Sequence, residues 1–75
     1  MEVTIGVIYS PKELNIELDG AIDDIASQFE KAVGDGIPML WLQDVKGRRV
    51  GVPADKLAYV EISSEEGEHH VGFGR

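Results

Sequence analysis

The sequence predicts an α+β domain of order β-β-α-β-β-β, with one helix packed on a mainly antiparallel sheet. Three observations carry that prediction. Apolar side chains alternate at period two near the start of the chain, recur at helical spacing from Ile22 to Val33, and return as short apolar runs from Met39 onward. The 75 residues leave room for one domain only. There is no cysteine, so neither a disulfide nor a Cys-based zinc cluster can staple the fold. The core must come from side-chain packing, completed by a second copy or a partner where one chain falls short.

Val3, Ile5, Val7 and Tyr9 form the first strand, and Ser10-Pro11-Lys12-Glu13 supplies turn chemistry. Leu14, Ile16 and Leu18 alternate with Asn15, Glu17 and Asp19 as a second, half-buried strand, and a hairpin is the natural pairing of the two. Ile22, Ile25, Ala26, Phe29, Ala32 and Val33 then make one apolar helical stripe. Asp19 is the expected N-cap, Asp23 and Asp24 suit the positive end of the helix dipole, and Gly34 or Gly36 suits the C-cap. Met39-Leu40-Trp41-Leu42, Arg49 to Val52 and Leu57 to Ile62 read as three strands, the first two joined by a turn at Asp44-Val45-Lys46-Gly47. These three are expected to form a C-terminal meander. The domain is expected to span residues 1–62, with 63–75 an acidic flexible tail that closes on Val71-Gly72-Phe73-Gly74. Val71 and Phe73 are expected to dock the end of that tail on a surface.

Fourteen acidic residues against seven basic ones give a formal charge of −7. That field disfavours nucleic acid and anionic membrane, both of which demand positive charge. Neither a secretory signal nor a membrane-spanning apolar run is present, and the expected location is the cytoplasm.

Several stretches point to a family. Met1-Glu2-Val3 followed by Ile5-Gly6, the block Gly47-Arg48-Arg49-Val50, the run Val52 to Ile62 and the closing Val71-Gly72-Phe73-Gly74 together resemble a family of short actinobacterial proteins sharing a domain of unknown function. The likeness spans essentially the whole chain. It is most specific from Gly47 to Ile62 and one of pattern only between Pro11 and Ile37. It implies an actinobacterial, cytosolic source and no particular activity. An ATP-binding label borne by some relatives would imply a phosphate loop, but Gly34-Asp35-Gly36 follows the helix instead of opening one, and Lys46-Gly47 lacks the GxxxxGK spacing.

Catalytic chemistry finds little footing. Ser10, Ser27, Ser63 and Ser64 lack a nucleophile elbow, and the two histidines, His69 and His70, are adjacent in the polar stretch. Glu61, inside an apolar strand, is the one acid with the setting of a tuned carboxylate, and an outward-facing strand position is the favoured reading of it. Glu65, Glu66, Glu68, His69 and His70 cluster donors without the rigid surroundings of a selective metal site. No enzyme activity, metal or cofactor is expected.

The expected function is that of a noncatalytic binding or adaptor domain acting through protein–protein contact and self-association. Trp41, Tyr59 and Phe73 are the expected interface residues. The alternative is a module for a small anionic ligand, nucleotide-like, held at Lys46, Arg48, Arg49 and Lys56, four of the seven cations within eleven residues. Self-association follows from strand patterning. Met39 and Trp41 oppose Leu40 and Leu42, and Leu57 and Tyr59 oppose Ala58, Val60 and Ile62, so both strands look apolar on both faces. One helix covers one face, and the other requires a homodimer or a sheet curled into a half-open barrel. The homodimer, with Trp41 as its anchor, is the expectation. An unidentified protein partner is expected beside it.

Overall fold

The structure, a computed structural model, describes residues 1–64 and 67–73. It has the expected α+β class. The elements are β1 (Glu2–Val7), β2 (Glu13–Glu17), α1 (Ile22–Gly34), β3 (Met39–Gln43), β4 (Arg49–Pro53), a 3-10 turn (Ala54–Lys56), β5 (Leu57–Ser64) and β6 (Gly67–Gly72). They make an antiparallel four-stranded sheet of order β2-β1-β5-β6 and a separate two-stranded ribbon, β3-β4. Helix and ribbon both pack on the inward face of the large sheet. Val3, Ile5, Ile16, Val60 and Ile62 meet Ile25, Ala26, Phe29 and Ala32 of the helix and Leu40, Leu42 and Val52 of the ribbon in one buried cluster. Among the described residues no helix is long and apolar enough to cross a membrane.

The helix forms where its apolar stripe predicts, with Asp23 and Asp24 in its first turn and Lys31 in its last. Its N-cap is Ala21, with no side-chain cap, and not Asp19. Gly20, at φ +123, turns the chain between β2 and α1 and leaves Asp19 two residues upstream of the capping position. At the other end Gly36 takes the left-handed conformation, and the Gly36 and Ile37 amides donate to the carbonyls of Val33 and Ala32 at 3.2 and 3.3 Å.

Strand order departs from the expected meander. A strand has two edges, and β5 uses both, pairing with β1 on one side and β6 on the other. Pro53 and the 3-10 turn redirect the chain before β5, so β4 pairs with β3 alone.

The end of the chain also differs. The stretch read as a polar tail contains β6 at residues 67–72. Its pairing sets Val71 opposite Val60 and His69 opposite Ile62, and carries Phe73 to the core, where its amide donates to the Ala58 carbonyl at 3.0 Å. An edge strand gains its backbone hydrogen bonds from one neighbour and needs few apolar side chains of its own. Glu65, Glu66, Gly74 and Arg75 lie outside the described residues.

A bulge in β5 corrects the reading of its faces. Gly6 pairs with Tyr59 and Val7 with Leu57, leaving Ala58 as an extra residue. That one insertion turns Leu57 to the same side as Val60 and Ile62, and all three are fully buried. The outward face of β5 therefore holds Tyr59, Glu61 and Ser63 and is not apolar.

Candidate functional site

The hairpin joining β3 and β4 is built around Asp44. Its loop Val45-Lys46-Gly47 is a type I turn with a glycine bulge. The Gly47 amide donates to the Asp44 carbonyl at 3.0 Å, the Asp44 amide to Arg48 at 2.9 Å, and Gly47 sits at φ +88. The Asp44 carboxylate accepts from the amides of Lys46 (3.0 Å) and Arg48 (2.9 Å) and from the Arg48 Nε at 3.1 Å. It is the one buried charged side chain among the described residues. Burial by itself would raise its pKa, but the two amides and the Arg48 guanidinium outweigh that and hold the carboxyl below its usual 3.8. A folded-state pKa below the unfolded one gives stability that is present above pH 3.8 and lost as pH falls through the folded value. Accordingly, Asp44→Ala should lower the melting temperature by several degrees at pH 7, and the gap to the wild type should close in strongly acidic buffer. Thermal melts across pH check this; a gap independent of pH would show that the carboxylate's charge is idle.

The turn is stitched to the outer edge of β2. Val45 donates its amide to Glu17 O at 2.9 Å, and Arg48 Nη2 donates to Asn15 O at 3.2 Å. Arg48 is thus occupied by the fold, and Arg49, its neighbour, points the other way and lies over the Trp41 ring, 5.3 Å from its centroid. Lys56 belongs to the 3-10 turn beyond the far end of β4. The four cations are therefore not gathered at one site. The cleft of about 290 Å³ beside Lys46 and Arg48 is also lined by Glu2, Glu17 and Asp44, three carboxylates against two cations.

The expected interface residues separate as well. Phe73 packs against the core. Tyr59 lies on the outward face of the large sheet, its ring across Gly6 where a Cβ would collide with it, its hydroxyl donating to Glu13, and stacked on His70 at 5.6 Å. The bond to Glu13, then burial and the charges of Glu13 and Glu61, raise its pKa above the usual 10.0. Around it the register places Glu2, Glu13, Glu17, Glu61 and Glu68 on the same face, which repels any polyanion there. Glu61 is one of these outward acids, opposite Thr4 and His70. His69 and His70 point to opposite faces, so the pair cannot grip one ion from a single side.

Trp41 stands apart. Leu40 and Leu42 are buried, whereas Met39 and Trp41 face outward at 39% and 56% exposure. The indole lies flat against Gly51, directly opposite on β4, where a Cβ would come within 2.8 Å of the ring. Gly51 and Arg49 both contact the ring and leave it more than half exposed. Met39, Trp41, Gln43, Arg49, Gly51 and Pro53 make up this face, and none is acidic. In a chain of charge −7 that is a local exception.

No curated protein matches the chain. A family model described as "Protein of unknown function (DUF3107)" matches residues 1–74. The likeness seen at Gly47–Ile62 and at the chain's ends is thus part of a match over almost the whole length, and the chain belongs to that family of proteins of unknown function.

Proposed function

We propose that this protein is a noncatalytic interaction module of the cytoplasm, working through protein–protein contact and self-association, with the outward face of β3-β4 as its contact surface. The observation that carries this reading is Trp41, more than half exposed yet seated on Gly51 with the Arg49 guanidinium against it. A held aromatic ring loses little freedom on binding, which is what makes tryptophan an effective anchor. Conspicuous polar groups elsewhere serve the fold: Asp44 and Arg48 hold the hairpin, and Tyr59 holds Glu13. An anionic ligand at Lys46 has less support, because carboxylates crowd that cleft.

Magnitudes set the expected strength. A tryptophan buries roughly 150–250 Å² when covered. Covering the exposed half of the ring at about 25 cal/mol per Å² gives about 2–3 kcal/mol, or about 5 for a symmetric pair. Association costs about 4–15 kcal/mol in lost freedom, so the two rings alone leave at most about 1 kcal/mol, and self-association is weak unless Met39, Pro53 and the rest of the face add to it. Sedimentation equilibrium tests it. The weight-average mass should rise above 8.2 kDa with concentration, and Trp41→Lys should stay folded and hold the single-chain mass. A variant that still self-associates would clear Trp41 of the role.

A further inference from the structure

The edge of β3 offers a second feature that the Trp41 face does not use. Hydrogen-bonded pairs flank the ribbon at Asp44/Arg48 and Pro38/Ala54. The alternation of an antiparallel ladder then assigns Leu40/Val52 and Leu42/Val50 to the bonded pairs. The N–H and C=O groups of Met39, Trp41 and Gln43 therefore point away from β4. Among the described residues no backbone group outside the ribbon bonds to them.

Other edges are guarded. The outer edge of β2 receives Val45 and Arg48, β4 carries Arg49 and ends in Pro53, and β6 carries Glu68. Of the six strands, β3 alone has no charged side chain. Its free edge also borders a groove of about 500 Å³ whose other wall is Leu18 and Asp19 with Ile25 and Gln28 of α1. No residue of β4 lines this groove, so it opens on the unpaired side of β3.

We propose that this edge and groove receive an extended peptide segment of a partner protein, which adds to β3 as a third strand. This rests on the reading of the chain as a protein-contact module and supplies the mode of contact. Main-chain bonds to Met39, Trp41 and Gln43 hold the segment, and its alternate side chains lie along the groove against Asp19, Gln28 and Gln43. The segment is polar and uncharged at those alternate positions, where Gln28 and Gln43 can bond it, and carries a Lys or Arg at the end beside Asp19, whose carboxylate has no hydrogen bond or ion pair among the described residues. A strand from a second copy fits less well. It would bring its own β4 about 4.8 Å further toward α1, which walls the groove.

The probe is a displayed library of random dodecapeptides selected on the full chain. Selected peptides should slow amide hydrogen exchange at Met39, Trp41 and Gln43 at least tenfold, with Leu40 and Leu42 unchanged. N-methylation of alternate peptide amides should weaken binding at least tenfold. Gln28→Arg, on the exposed helix wall and away from the ribbon, should abolish peptide binding while leaving sedimentation without peptide unaltered. A library that yields no binder, or binders that leave those three amides unprotected, overturns the proposal. Self-association is read separately, in peptide-free samples, so the two readings can fail independently.

Discussion

Phe29→Ala should cost about 3–5 kcal/mol, the range for removing a fully buried aromatic side chain. Phe29 is completely buried in the helical stripe, within the one core cluster to which the large sheet and the ribbon also contribute. A domain of this size has about 4–11 kcal/mol in total, at roughly 0.05–0.15 kcal/mol per residue. The substitution therefore removes from about a quarter of the stability to all of it. With roughly 4–8 °C lost per kcal/mol, the melting temperature should fall by at least about 12 °C. Thermal or urea unfolding of dilute protein gives the number. A loss below about 1 kcal/mol would mean that helix and sheet do not meet at Phe29.

Leu57→Ala should behave as a core truncation, costing about 2–5 kcal/mol. Only the bulge at Ala58 makes it so. Strict alternation would put Leu57 on the face of Tyr59, away from Val60 and Ile62. The extra residue instead points all three apolar side chains into the core. Urea unfolding separates the alternatives. A loss typical of exposed sites, within about 0.5 kcal/mol, would refute the bulged register.

What the sequence made legible was local. The helix, the first hairpin and the Asp44–Gly47 turn each follow from side-chain period or turn chemistry within a few residues. Trp41 was legible in part: the run Met-Leu-Trp-Leu sets Met39 and Trp41 on the face opposite Leu40 and Leu42, and the structure shows the first pair exposed and the second buried. What stayed hidden depends on partners distant in the chain. Whether β5 lies beside β4 or between β1 and β6 is settled by which edges are already filled. The bulge at Ala58 exists only in relation to Gly6 and Val7. β6 hides because an edge strand needs one neighbour's backbone more than apolar side chains of its own. The cations mislead for a related reason: Arg48 and Arg49, adjacent in sequence, point to opposite sides of the ribbon, one bonded to Asp44 and the other lying over Trp41.

The contact role of the β3-β4 face is tested most directly by the fluorescence of Trp41. It is the only tryptophan, so its emission reports on that face alone. Spectra would be recorded from nanomolar to millimolar protein, with sedimentation on the same samples. The emission should shift to shorter wavelength as concentration rises, in step with the growth in mass, as a second copy covers the ring. Emission that stays at the position of a solvent-exposed indole while the mass holds at 8.2 kDa would contradict self-association through this face.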